Sequence, residues 1–139
     1  MNSPSDITGI FRQARTIAVV GLSDNPARPS HGVSSYMQSQ GYRIIPVNPN
    51  HRKILGEVCY SSLTDIPKRV RIDVVNIFRR PETVMPVVEQ AIQIGARCVW
   101  MQEGVINYEA AGKAEEAGLC VVMDRCLLVE HSRYVSQSS

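Results

Sequence analysis

Five short apolar runs recur along this chain, and each is followed by a segment with helical periodicity. We predict strands at the runs, which cover residues 16–20, 43–47, 72–78, 97–101 and 119–123. Continuous apolar runs of this kind are typical of strands buried on both faces. Strands that alternate with helices of about 10–15 residues indicate right-handed crossovers in a parallel sheet. The pattern therefore predicts an α/β fold: one Rossmann-like domain, with a parallel sheet of five or more strands and helices on both faces.

Polar and glycine residues mark where the predicted helices begin and end. A glycine follows three of the helices, which suits the left-handed backbone of a helix terminus. The long connection after the second strand is predicted to hold a short strand near residues 57–60 and a helical turn at residues 62–66. The serine-rich end, from about residue 135, is expected to be disordered. The predicted helix caps are Ser5 or Asp6, Ser30, Asn107 and Asp124.

The composition is that of a soluble globular chain. Its 139 residues suit one domain, and 44% are hydrophobic and 20% charged. The formal net charge of +2 is too small to favour nucleic acid or a membrane surface as a partner. No apolar run approaches the roughly 20 residues that span a bilayer. The N-terminus also lacks the pattern of a signal peptide.

The four cysteines form no recognisable metal-binding or disulfide pattern. They include no C-x-x-C pair, and no histidines stand at zinc-finger spacing. Cys98 and Cys120 lie inside predicted strands, so we interpret the cysteines as reduced, buried thiols, which predicts a cytoplasmic location. Cys126, next to Arg125 at the start of the terminal helix, is a candidate reactive thiol, but no base partner accompanies it.

Parallel sheets bind ligands in the crevice beyond the carboxyl ends of their strands, so the residues after each strand are candidate site residues. After the first strand come Gly21, Leu22 and Ser23. A dinucleotide-binding fingerprint would continue with two more glycines, where this chain has a serine and a proline. Gly21 still permits a tight turn against a phosphate, and Arg28 and Ser30 offer a guanidinium and a helix start. The alternative is a proline-rich loop with a capping serine and a solvated arginine.

The second strand ends in a basic rather than an acidic segment. Val47 closes the strand, Asn48 and Pro49 follow, and Arg52 and Lys53 come next. An NAD site usually has a carboxylate here to bind the ribose hydroxyls. The basic pair argues against NAD and permits a phosphorylated ribose, as in NADP or coenzyme A. The alternative is a solvated basic turn.

The remaining strand ends add a weak anion site and no convincing catalytic group. Phe78 and Arg79 follow the third strand, and the arginine either assists a polyanion or lies in solvent. Asp124, after the fifth strand, is better explained as a helix cap than as an acid catalyst. P-loop, nucleophile-elbow and zinc-protease motifs are absent. The three histidines lack metal-ligand spacing and are expected to be exposed. The sequence thus predicts a binding protein that is not an enzyme.

Several segments in order carry a resemblance to a known family. They are "IAVVGLSDNPARPSHGV", "GYRIIPVNPN", "DVVNIFRRPE", "GARCVWMQEGVIN" and "EEAGLCVVMDRCLLVEH". Together they resemble the small stand-alone CoA-binding proteins, which are similar to the N-terminal CoA-binding domain of the succinyl-CoA synthetase alpha subunit. The resemblance covers nearly the whole chain, from about Ile17 to His131.

The resemblance implies a Rossmann fold that binds coenzyme A or an acyl-CoA at the carboxyl edge of its sheet. It places the ligand against Gly21–Ser23, the loop with Arg28 and Ser30, and the strand end at Val47–Pro49, with a weaker transfer to Phe78 and Arg79. Relatives often carry a lysine at the position of Asn50, and Arg52 or Lys53 is expected to replace it. The phosphohistidine domain of the synthetase has no counterpart here, so its ligase chemistry is not transferred.

Two other functions stay open from the sequence. An NADP-dependent oxidoreductase is disfavoured because the chain leaves little room for a substrate domain and has no Tyr-x-x-x-Lys pair. The second alternative is a protein-interaction domain that kept the fold and lost the ligand. Exposed edges of such sheets often pair, which makes a homodimer one expectation, and no residue pattern specifies a protein partner.

Overall fold

The computed structural model describes residues 4–138, which form five helices and seven strands. The helices are α1 (Pro4–Gln13), α2 (Pro29–Ser39), α3 (Val84–Gln93), α4 (Tyr108–Glu116) and α5 (Leu127–Ser138). The strands are β1 (Thr16–Val20), β2 (Arg43–Val47), β3 (Lys53–Ile54), β4 (Glu57–Val58), β5 (Val74–Ile77), β6 (Cys98–Met101) and β7 (Cys120–Val122). Short 3-10 helices lie at Leu63–Asp65 and Pro81–Thr83.

The main sheet has five parallel strands in the order β2-β1-β5-β6-β7. The central strand of the first half, β1, pairs with β2 on one side and β5 on the other, with Ala18 opposite both Ile45 and Val75. The chain therefore turns to opposite sides of the sheet after β1 and after β2, which creates a topological switch point between β1 and β5. Strands β3 and β4 form a separate antiparallel pair. The predicted α/β fold with a five-stranded parallel sheet is confirmed.

Two hydrophobic cores cover the two faces of the sheet. On one face α3 and α4 bury Val88, Ala91 and Ala114 against the strands. On the other, α1, α2 and α5 bury Phe11, Met37 and other side chains. Because the central strands are covered on both faces, their residues are mostly apolar, and this explains the apolar runs seen in the sequence. Asn76 in β5 is a buried polar exception, and its Nδ2 donates to the Trp100 carbonyl and to Gln102 Oε1. No helix within residues 4–138 has the length and apolar character needed to cross a membrane.

Of the predicted helix caps, Asn107 is confirmed and Ser30 is wrong. The Asn107 side chain accepts a hydrogen bond from the Ala110 N–H at the start of α4. In α2, Pro29 occupies the first turn and Arg28 is the capping position, with extended backbone and no side-chain bond. Ser30 is consequently inside the helix, and its hydroxyl is free to bond a neighbouring loop instead.

Asp124 is not a helix cap either. Its backbone has a left-handed φ of 62°, and its Oδ1 accepts a hydrogen bond of 2.8 Å from the Gly104 N–H. The N–H of Leu127, at the start of α5, donates to Gln102 Oε1 at 3.3 Å. Gln102, which follows β6, therefore caps α5, because β6 and β7 are neighbours in the sheet and their ends lie side by side.

Both chain ends also differ from the prediction. Helix α1 already includes Pro4, so Ser5 and Asp6 lie within it rather than at its cap. Helix α5 continues to Ser138, whereas disorder was predicted from about residue 135. The terminal segment contains no glycine or proline that would end the helix, although its side chains from Val135 to Gln137 are exposed.

Candidate functional site

The ends of β1, β2 and β5 meet at the switch point, where a crevice is expected. The Gly21 N–H donates to the Val47 carbonyl at 2.9 Å, and the Phe78 N–H donates to the Val20 carbonyl at 2.9 Å. These two hydrogen bonds continue the ladder one residue past β1 and β5. Three of the predicted ligand-binding segments are therefore brought side by side at one edge of the sheet.

Gly21 is required at this position for a reason that the sequence did not reveal. Its φ of 88° lies in the left-handed region, and a Cβ there would overlap the carbonyl oxygen of Phe78. Gly21 thus permits close approach of its own backbone to the backbone of Phe78, at the end of the neighbouring strand β5. The same hypothetical Cβ would lie 3.5 Å from Arg79 Cδ, so the stem of Arg79 passes over the turn.

Hydrogen bonds within the loop after β1 shape it before any ligand arrives. The Ser23 N–H donates to Ser30 Oγ at 3.0 Å, and Ser23 Oγ accepts from the Asn25 N–H at 3.0 Å. Asn25 Oδ1 in turn accepts from the Ala27 N–H at 2.9 Å. The Ser23 N–H is therefore used inside the protein, while the Ser23 hydroxyl keeps a hydrogen that it can donate.

Asn48 joins the first two strand ends. Its Nδ2 donates to the Leu22 carbonyl at 2.9 Å, and its Oδ1 accepts from the Asn50 N–H at 2.9 Å. Both ends of the side-chain amide are therefore engaged within the protein, which assigns Asn48 a positioning role in the crevice. Leu22 and Val47 are buried, so their side chains belong to the core.

The basic residues predicted for the site lie around the crevice on exposed positions. Arg28, Arg52, Lys53 and Arg79 are all exposed. Arg52 precedes the β3–β4 pair, and its carbonyl accepts from the Cys59 N–H at 2.9 Å. His51 Nδ1 lies 3.6 Å from Asp24 Oδ2, so the loop after β2 contacts the loop after β1. The four cations are thus exposed residues of the segments that follow β1, β2 and β5.

A cleft of about 440 Å³ opens beside the strand ends on the α3 face. Val47, Pro49 and Arg79, all predicted from the sequence, line it. Residues that the sequence analysis missed complete the lining: Val20, Ser61, Ser62, Leu63, Glu82, Thr83, Pro86, Val87 and Gln90. The short strand predicted near residues 57–60 could have indicated Ser61 and Ser62 as site residues. Tyr60 forms a parallel bridge with Val47, and this places the two serines that follow it at the same edge of the sheet.

Two further sequence expectations concern residues outside the crevice. Cys126 is half-buried and follows β7. Strand β7 is an outer strand of the sheet and does not border the switch point between β1 and β5. His131, expected to be exposed, is buried at 3% exposure among aromatic rings, with its Nδ1 2.9 Å from the Tyr36 hydroxyl. Burial lowers the pKa of His131 from its ordinary value. Residues 6–137, whose side chains are described, contain no cluster of three or more histidine, cysteine or acidic residues suited to a metal ion.

Comparison with known proteins gives the same fold and a defined family. A family model for a CoA binding domain matches residues 15–132. The uncharacterized protein YneT of Bacillus subtilis is 45% identical over 134 residues, which span 95% of this chain and 98% of that protein. A solved structure of a hypothetical protein from Pyrococcus horikoshii OT3 is 42% identical, with a TM-score of 0.92 over 96% of this chain and 93% of that chain.

A larger enzyme shares part of this sequence. Acetate–CoA ligase (ADP-forming) II of Archaeoglobus fulgidus is 33% identical over 83 residues, which span 58% of this chain but 12% of the ligase. The expected relation to succinyl-CoA synthetase is thereby supported at the coarser level of CoA ligases. The chain matches small uncharacterized proteins along their whole length and a ligase over a small part.

Proposed function

The chain belongs to the CoA-binding domain family, and from this premise we propose that it binds coenzyme A or an acyl-CoA at the carboxyl edge of its sheet. The observation that carries the proposal is the meeting of three strand ends at the switch point, followed by segments that carry exposed cations. The ligand carries a pyrophosphate, a 3′-phosphorylated ribose and an uncharged pantetheine arm. Each of these has a chemical counterpart in the crevice.

The pyrophosphate is proposed to lie against the turn at Gly21 and the start of α2. The Ser23 hydroxyl offers a donor, and guanidinium groups are offered by Arg79, whose stem passes over the turn, and by Arg28 at the start of α2. The first turn of an eleven-residue helix adds a favourable dipole for an anion. The loop is held by its own hydrogen bonds, so little ordering is needed when the ligand binds.

The two ends of the ligand are proposed to extend in different directions from this turn. The 3′-phosphate is assigned to Arg52 and Lys53, which follow β2. An NAD site would have an Asp or Glu at the end of this strand, where this chain has Asn48. The pantetheine arm is assigned to the cleft of about 440 Å³, where Ser61 offers a hydroxyl beside the apolar wall of Val20. The neighbouring Ser62 donates its hydroxyl hydrogen to Asp65 Oδ2 and so offers the ligand only an acceptor. A cleft with apolar walls and a few polar groups suits such an arm.

We further propose that the chain acts by binding alone, as a carrier, sensor or subunit in the cytoplasm. Asn48 uses both ends of its side-chain amide to hold the strand ends, and Ser23 Oγ accepts a hydrogen bond within its own loop, so we assign Ser23 a role in ligand binding and neither residue a role in catalysis. The Cys59 thiol beside Asn48 is buried, and burial raises its pKa, which disfavours the nucleophilic thiolate.

Mass spectrometry of small molecules released from freshly purified protein tests the proposal. Coenzyme A or an acyl-CoA in the released fraction is the expected result. Release of NADP would instead support a dinucleotide-dependent function. If neither is released, titration with coenzyme A by calorimetry decides, and no heat of binding at millimolar ligand would overturn the proposal.

A further inference from the structure

Two cysteines stand side by side at the amino edge of the sheet, opposite the crevice. Cys98 is the first residue of β6, Cys120 is the first residue of β7, and the register pairs them directly. Both side chains belong to the same hydrophobic cluster on one face of the sheet. Neighbouring strands lie about 4.8 Å apart. An in-register pair thus falls within the Cα separation of roughly 4.4–6.8 Å that a disulfide accepts.

A cleft of about 610 Å³ gives access to this pair from solvent. Ile10 and Gln13 of α1 border it, and both cysteines line it. Cys98 is buried and Cys120 is half-buried, so a small reagent meets Cys120 first. Because the cleft lies at the amino edge, it is separate from the crevice assigned to coenzyme A.

The surroundings of the two sulfur atoms make them chemically unequal. The hydrogen bond from Cys98 lowers the pKa of Cys120 to about 7, against the opposing effects of burial and of the Asp6 and Glu115 carboxylates. The same hydrogen bond and burial raise the pKa of Cys98, with a smaller opposing effect of Arg97. Cys120 is therefore the sulfur that carries thiolate near neutral pH, and Cys98 is the one that keeps its proton.

We propose that Cys98 and Cys120 form a redox-active dithiol, which a hydroperoxide oxidises to a disulfide. The Cys120 thiolate attacks the terminal peroxide oxygen, the O–O bond breaks, and Cys120 becomes a sulfenic acid while the leaving oxygen takes up a proton. The Cys98 sulfur then attacks the Cys120 sulfur, the S–O bond breaks, and water leaves with the Cys98 proton. For hydrogen peroxide the sum is two thiols oxidised by two electrons and one peroxide reduced to two waters.

Treatment of the reduced full-length chain with hydrogen peroxide, followed by thiol blocking and mass spectrometry, tests this proposal. The oxidised chain should carry two blocking groups fewer than the reduced chain, and dithiothreitol added before blocking should restore all four. Trypsin cleaves after Lys113, so the disulfide should appear as linked peptides 98–113 and 114–125. Cys59→Ala and Cys126→Ala are the matched controls and should leave the disulfide unchanged, as should saturation with coenzyme A.

Cys98→Ala separates a redox role from mere proximity. It should stop oxidation at the Cys120 sulfenic acid, which dimedone traps, because no second thiol is present to displace water. Alkylation of Cys120 at pH 7 should also slow by about threefold, since the lost hydrogen bond reduces the thiolate fraction more than it raises nucleophilicity. Thermal denaturation confirms that each variant is folded. Disulfide formation that persists without Cys98, or four thiols that all stay alkylatable after peroxide treatment, would overturn the proposal.

Discussion

The N–H of Ser23 donates a hydrogen bond to the Ser30 hydroxyl 3.0 Å away, and this contact joins the turn after β1 to the first turn of α2. Ser30 is almost fully buried, so the bond is shielded from water. The loop between the two serines carries Arg28, and its shape depends on this contact. Ser30, which the sequence predicts as a helix cap, therefore holds the loop of the candidate ligand site in place.

Ser30→Ala is expected to lower the free energy of unfolding by about 1 kcal/mol, because the Ser23 N–H loses its partner. Affinity for coenzyme A should fall as well, since the loop must then be ordered on binding. Ser35→Ala, at an exposed position on the same helix, is the matched control and should stay within about 0.5 kcal/mol. Denaturant unfolding and calorimetry measure the two effects. Equal stability of the two variants would contradict this role of the Ser30 hydroxyl.

Gly21→Ala should destabilise the protein more than Gly41→Ala. Both glycines have a left-handed φ, at 88° and 96°, which costs an alanine about 1–2 kcal/mol. The Gly41 position has open space, whereas a Cβ on Gly21 overlaps the Phe78 carbonyl. The overlap should cost Gly21→Ala about 1–3 kcal/mol more. Urea denaturation of both variants measures the difference, and similar midpoints would show that the contact with Phe78 is not decisive.

Coenzyme A at 100 times its dissociation constant should stabilise the folded chain by about 2.7 kcal/mol. For a chain of this length the melting temperature should rise by roughly 5–15 °C. Arg28→Glu should abolish the rise, because it places a carboxylate beside the phosphates, while the unliganded melting temperature stays nearly unchanged. Arg71→Glu, an exposed residue ahead of β5, should keep the full rise. A full rise in Arg28→Glu would remove this loop from the phosphate site.

Coenzyme A should bind more tightly than dephospho-coenzyme A by about 1–3 kcal/mol, the range for a charge-assisted hydrogen bond. The double variant Arg52→Ala/Lys53→Ala should bind the two ligands equally. Lys68→Ala/Arg69→Ala removes the same charge from another exposed segment and should keep the preference. Calorimetric titration of each protein with both ligands makes the comparison. A preference that survives in the first double variant would reassign the 3′-phosphate.

Stability should fall as the pH drops below about 6.5, because of His131. Burial lowers its folded-state pKa, so the unfolded chain takes up a proton at a higher pH than the folded chain does. The groups against the imidazole are aromatic, with ring centroids of Phe11 at 5.1 Å and of Tyr42 at 5.4 Å, and they offer no carboxylate to stabilise the charged form. The free energy of unfolding, measured from pH 7.5 to 5.5, should therefore decrease.

His131→Phe should make that pH dependence shallower, since it removes the proton uptake of the unfolded chain. His51→Phe changes a more exposed histidine beside Asp24 and serves as the control. The measurement compares slopes rather than absolute stabilities, so a cost of repacking the aromatic cluster does not affect it. Parallel slopes for wild type and His131→Phe would contradict the assignment.

The sequence by itself determined the architecture and the edge at which to look for a ligand. Mostly apolar runs with helices between them are local patterns, and they are typical of strands buried on both faces. The Asn107 cap and the Gly21 turn were predictable for the same reason, because a cap or a turn depends on residues close in the chain. The family resemblance added coenzyme A as the ligand to propose.

Only the tertiary structure decided which polar groups are already used. Asn48 bonds Leu22, 26 residues away, and Gln102 rather than Asp124 bonds the start of α5 from 25 residues away. Cys98 and Cys120 become neighbours because β6 and β7 pair in register. Such partners are set by strand order and by the direction of each side chain in the packed molecule, and no pattern of adjacent residues encodes them.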